Sequence, residues 1–120
     1  ETKEKINLYL KLHSEIKGIF VPSSRIYNVV DCLGSNYLKN LELIGFDNTP
    51  QNIDCLLNDS VSFLISQKPF NQGYESIRLL TEFLLKNNIS NEKFYSPIDI
   101  LTKENVKFNV RNEFSINQEN

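Results

Sequence analysis

The sequence predicts an α/β fold built on a parallel, Rossmann-like sheet, and three observations carry that prediction. Short apolar, β-rich segments alternate strictly with stretches whose apolar residues recur at spacings of three and four. Each apolar segment ends in a polar corner, and the corner opens the next helix. The order is helix, strand, four times over, and helical connections place consecutive strands in the same direction through right-handed crossovers.

Residues 1–15 read as an amphipathic helix, with Ile6, Tyr9, Leu10 and His13 on one stripe and Lys3, Lys5, Lys11 and Glu15 off it. Residues 16–21 form the first strand; Pro22 ends it, and Ser24 is expected to cap the following helix. That helix carries Ile26, Val29, Val30 and Leu33 at i, i+3, i+4 and i+7, with Gly34 where a C-cap glycine belongs. The second strand, 41–46, runs into Asp47 and Asn48, after which Thr49 as N-cap and Pro50 at the first helical position start a short helix bearing Ile53, Leu56 and Leu57.

Residues 61–65 form the third strand, followed by Ser66, Gln67 and Lys68. Pro69 bars further ladder bonding and keeps Lys68 out of the right-handed helical region, so the chain turns before a long helix over 70–86. Residues 87–93 are a polar loop, 97–102 a fourth strand, and the sequence beyond Asn105 fades through polar residues. No linker or low-complexity tract divides the 120 residues, which suit one domain. With no methionine, even at position 1, the chain is expected to be a piece or processed product of a longer protein.

Composition excludes several functions. A net charge of -2 with 13 scattered basic residues gives no field to hold a phosphate backbone. No apolar stretch approaches the ~20 residues of a membrane span, and the first residues lack the zones of a signal peptide. Cys32 and Cys55 stand alone, with no C-x-x-C and no histidine at metal spacing, and read as free thiols rather than a disulfide. His13, the single histidine, has no Asp, Glu or Cys three or four residues on, and reads as a packing or boundary residue. The single histidine lies on a helix face, so no Ser-His-Asp or Cys-His pairing forms around the corners, and the four glycines stand singly, outside any phosphate loop. No catalytic residue, metal or cofactor is expected.

Parallel strands bring their carboxyl ends to one rim, where ligands of open α/β sheets bind. The corners there hold Ser23, Ser24 and Arg25; Asp47 and Asn48; and Gln67 with Lys68. Hydroxyls, amides, one carboxylate, one guanidinium and one ammonium suit a neutral polyhydroxy ligand, because carboxylates and amides each exchange several hydrogen bonds with vicinal hydroxyls. Two other readings stay open: strand ends are polar in any α/β protein, and Asp47 at a strand end is also placed to accept a phosphoryl group or hold Mg2+. A receiver needs further acids near the first strand, and none stand there.

The segment LELIGFDNTPQNIDCLLNDSVSFLISQKPFNQGYESIRLLTEFLLKN, with PIDILTKENV after it, resembles the carboxyl-terminal part of the effector-binding domain of bacterial lactose-repressor-type (LacI) transcription regulators and the related periplasmic sugar-binding proteins. The pieces that carry the resemblance are GFDNT, QKPFNQGY, the long helix and PIDILTKEN, within residues 16–107. The resemblance implies a fragment of a two-lobe, type 1 periplasmic-binding-protein-like domain, with 1–67 in one lobe and 70–104 crossing to the other lobe and back. It implies ligand contacts from Ser23, Ser24, Asp47 and Gln67, although many members carry Asn-Asp where this chain has Ser23-Ser24, so one carboxylate is missing. It further implies a small-molecule effector, a sugar above all; a cytoplasmic, dimeric regulator that is no enzyme and no membrane protein; and DNA contact only through residues absent from this chain. A sugar receptor outside the cytoplasm is the alternative within the same fold. Ile77, Leu80, Phe83 and Leu84 form an apolar stripe on the long helix, so this segment is expected to associate with itself or with the rest of its protein.

Overall fold

A computed structural model describes residues 2–86 and 93–108. Its elements are α1 (Thr2–Leu12), β1 (Gly18–Val21), α2 (Ile26–Cys32), α3 (Ser35–Leu38), β2 (Glu42–Phe46), α4 (Pro50–Leu57), β3 (Phe63–Ser66), α5 (Pro69–Lys86) and β4 (Asp99–Leu101). The strands form one sheet in the order β1-β2-β3-β4. β1, β2 and β3 run parallel, with Val21 opposite Gly45 and Phe46 opposite Ile65. The α/β class and the parallel arrangement of these three strands are as the sequence predicts.

β4 departs from strict alternation, for it pairs antiparallel to β3, with Ser66 opposite Asp99 and Leu64 opposite Leu101. A helix returns the next strand parallel only when it packs back across the sheet. α5 leaves its apolar side open instead, with Ile77 70% and Leu84 71% exposed. The chain after α5 therefore meets β3 from the rim at which β3 ended.

Period-2 alternation divides the sheet into two unequal faces. Leu43, Leu64 and Leu101 are fully buried on one face with Ile26 of α2 and Leu56 of α4, and Leu10, Leu33, Cys55, Val61 and Val106 join this core. Burying each such aliphatic side chain contributes roughly 1.5–3 kcal/mol. The opposite face carries Phe20, Ile44, Phe46, Phe63, Ile65 and Ile100; Phe20 and Ile100 are exposed there, and the Phe20 and Phe46 rings lie 5.7 Å apart.

Several local expectations change. α2 begins after Arg25, whose side chain makes no cap, so Ser24 is not its N-cap. Leu33 is the C-cap of α2, in extended backbone, and Gly34 is the N-cap of α3, a short helix that the periodicity did not reveal. Its four residues are too few to show a period. Thr49 and Pro50 hold as read: the Thr49 hydroxyl accepts from the Asn52 N–H and Pro50 is the first helical residue of α4. Cys32 and Cys55 are free thiols, and burial with Asp31 and Asp54 nearby pushes the Cys55 thiol up. His13 is a boundary residue, its Nδ1 3.0 Å from a Glu15 carboxylate oxygen and its ring 4.3 Å from that of Tyr9. The polar loop read at 87–93 lies outside the described residues except for Lys93, and of the tail only residues up to 108 are described, ending in one helical turn over 106–108.

Candidate functional site

The three corners meet on one rim because β1, β2 and β3 are adjacent, parallel and in register. At the first corner Pro22 centres a tight turn in which the Ser23 N–H donates to the Val21 carbonyl at 2.8 Å. The Ser23 hydroxyl then accepts from the Arg25 N–H at 3.4 Å. At the second corner Asp47 follows β2 with φ 66°, a left-handed conformation that aspartate tolerates better than most residues. Its N–H donates to the Ile65 carbonyl at 2.9 Å, which extends the ladder by one bond. At the third, Gln67 is followed by Lys68 with φ 53°.

A residue that the sequence reading passed over joins the first two corners. Asn52, on α4, is 0% exposed. Its Nδ2 amide donates to the backbone carbonyls of Ser24, Phe46 and Asp47 at 3.1, 2.9 and 3.0 Å. Two N–H groups shared among three acceptors require one bifurcated bond, and Oδ1 meets no donor among the described residues. The sole sequence signal was an asparagine among the apolar positions of a short helix, where a buried amide needs partners.

β4 brings a further residue to the rim. Because it enters antiparallel, its first residue, Asp99, stands opposite Ser66, and Lys68 Nζ lies 2.9 Å from Asp99 Oδ2. The strand ends thus gather all six residues read from the sequence, Ser23, Ser24, Arg25, Asp47, Asn48 and Gln67, together with Lys68, Asp99 and the buried Asn52. A groove of about 830 Å3 between α5 and residues 94–97 is lined by Phe70, Gln72, Tyr74, Leu79 and Pro97 among others, and none of the six lines it.

Such a rim can exchange hydrogen bonds through hydroxyl, amide and carboxylate groups. Among the described residues no group of three or more His, Cys, Asp or Glu is placed to hold a metal ion, and no helix is long and apolar enough to cross a membrane.

Sheet order, parallel strand ends and a returning antiparallel strand define an open α/β unit, and comparison with solved structures gives it the periplasmic-binding-protein-like fold. A provisionally assigned LacI transcriptional regulator from Bacteroides fragilis superposes with a TM-score of 0.80 at 32% identity, over 90% of this chain and 37% of that one. GanP, a glucose-galactose binding protein from Geobacillus stearothermophilus, gives 0.73 at 19% identity over 87% of this chain and 38% of its own. An ABC transporter solute-binding protein from Burkholderia graminis, solved with D-arabinose, gives 0.74 at 20% identity over 86% and 37%. The last two likenesses speak for the fold alone. This chain is thus part of a periplasmic-binding-protein-like domain of the kind that LacI regulators and sugar-binding proteins share, as its sequence resemblance implied, and it spans less than two fifths of the length of each of these proteins. No protein-family model and no curated protein matches it.

Proposed function

We propose that this chain is the carboxyl-terminal part of the ligand-sensing domain of a LacI-type transcription regulator, non-enzymatic, cytoplasmic and dimeric. A sugar or similar small polar molecule is its effector. Ser23, Ser24, Arg25, Asp47, Asn48 and Gln67 would line one side of the cleft. The observation that carries this reading is the convergence of three parallel strand ends, two of them tied by Asn52, in a chain 32% identical over 90% of its length to a protein assigned to that family. Residues 1–67 would form part of one lobe, with 70–104 crossing to the second and back. A ligand bridging the lobes would then shift their closure and so the spacing of DNA-binding heads outside this chain.

Titration of the intact protein with a panel of pentoses and hexoses tests the site. Asp47→Asn keeps a residue that tolerates left-handed backbone while removing the charged acceptor, and is expected to weaken the best sugar by about 10- to 150-fold, the range of one charge-assisted hydrogen bond. Unchanged affinity would remove Asp47 from the site. Sugar-binding proteins among the structural neighbours favour a second reading, an extracytoplasmic receptor of a transporter or sensor kinase. Sequence ahead of Glu1 separates the two, since a regulator carries a helix-turn-helix there and a receptor a signal peptide.

The exposed stripe of Ile77, Leu80, Phe83 and Leu84 supports a placement of α5 against the rest of the protein or a second copy. Produced as residues 1–120 alone, the chain is expected to elute in size-exclusion chromatography with light scattering as dimers or larger species. A stable, well-folded monomer would contradict this.

A further inference from the structure

We propose that Lys68 and Asp99 are positioning residues for the third corner: their ion pair holds the backbone at Gln67 in one conformation and thereby sets how tightly the site retains its ligand. The proposal rests on the ligand-binding reading of the rim.

Lys68 stands at φ 53°. Left-handed backbone opposes a residue that has a Cβ and no short polar side chain to bond locally. The next residue is Pro69, which disfavours relaxation into the right-handed helical region. Local preference therefore works against this corner, and contacts must hold it.

Contacts do so from two opposite directions. On the helix side, Gln72 Nε2 donates to the Gln67 carbonyl at 2.7 Å and the Gln72 N–H donates to the Lys68 carbonyl at 3.0 Å. On the sheet side, Lys68 Nζ meets Asp99 Oδ2 at 2.9 Å, with the two side chains only 24% and 30% exposed. Water and salt screen a pair so placed less than an exposed one. Asp99 is itself anchored, because β4 pairs with β3 and Asp99 lies opposite Ser66, whose hydroxyl accepts from the Lys68 N–H at 3.4 Å. The pair thus links the segment leaving β3 to the segment returning as β4, with Gln67 immediately before the link.

The test uses full-length protein and calorimetric titration with D-arabinose, D-glucose and D-galactose, followed by variants read with whichever sugar binds best. Lys68→Met and Asp99→Asn are each expected to weaken binding about fivefold, and Lys68→Arg to keep affinity within about twofold. On a Gln67→Ala background Asp99→Asn should have no further effect, because the pair acts through Gln67. Additive losses, failure of arginine to substitute, or unchanged affinity in Asp99→Asn would each overturn the proposal. Loss with Gln67→Ala but not with Asp99→Asn removes the pair's role and leaves the site; no loss with Gln67→Ala, or binding of none of these sugars, removes both. Hydrogen exchange supplies a ligand-free readout: Asp99→Asn should speed exchange in residues 66–72 and leave 43–49 unaltered. Acceleration across the whole sheet would mark the pair as merely structural and defeat the proposal.

Discussion

Asn52→Leu is expected to lower stability by about 3 kcal/mol in urea unfolding, since it strips donors from three carbonyls and leaves each without its partner. The residues that carry those carbonyls are half-buried, so water replaces part of what is lost, and the effect stays below three full desolvation penalties. Asn52→Asp, with the same shape, should cost at least as much, because it turns a carboxylate toward three carbonyl oxygens. A change within about 1 kcal/mol for Asn52→Leu would show that the amide does not hold the corners together. On the proposed function both variants should also weaken sugar binding, as Ser24 and Asp47 lose the group that ties them together.

Gly45→Val should be similarly damaging, by about 3 kcal/mol, and Gly45→Ala by about 2 kcal/mol, both within the range of overpacked cores. A Cβ at this point of β2 would lie 2.7 Å from Ile26 Cγ2 and 2.9 Å from its Cβ and Cδ1. Ile26 is fully buried and cannot swing away. The glycine is thus required by close approach of α2 to the sheet. Ile26→Ala removes Cγ2 and Cδ1, so the double variant Gly45→Ala with Ile26→Ala should lose less than the sum of its parts by about 1 kcal/mol. Strict additivity in chemical denaturation would contradict the contact.

Much of the rim that forms the candidate site is legible in the sequence because strand-end chemistry is local. The β-rich segment before Asp47, the Thr49-Pro50 helix start and the turn imposed by Pro69 each depend on neighbours in sequence, and all three are found. Ser24 was misread as a cap because a serine before an apolar stripe matches the preference whether or not its side chain bonds. Gly34 was misread similarly: glycine suits both ends of a helix, and here it opens α3 instead of closing α2.

Asn52 and Asp99 escaped notice for another reason. Asn52 reaches Ser24 across 28 residues, and no periodicity announces which asparagine carries such a bond. Asp99 reaches the rim only because β4 runs antiparallel, and the alternation of helices and strands had suggested the opposite direction.

By itself the sequence determined the α/β class, the three parallel strands and the polar corners at their ends, because hydrophobic period and turn chemistry are written in adjacent residues. Tertiary structure decided the direction of β4, the amide that ties two corners and the ion pair that closes the third. Those features join residues remote in the chain, and their energies arise only when burial removes water from groups that must then find one another.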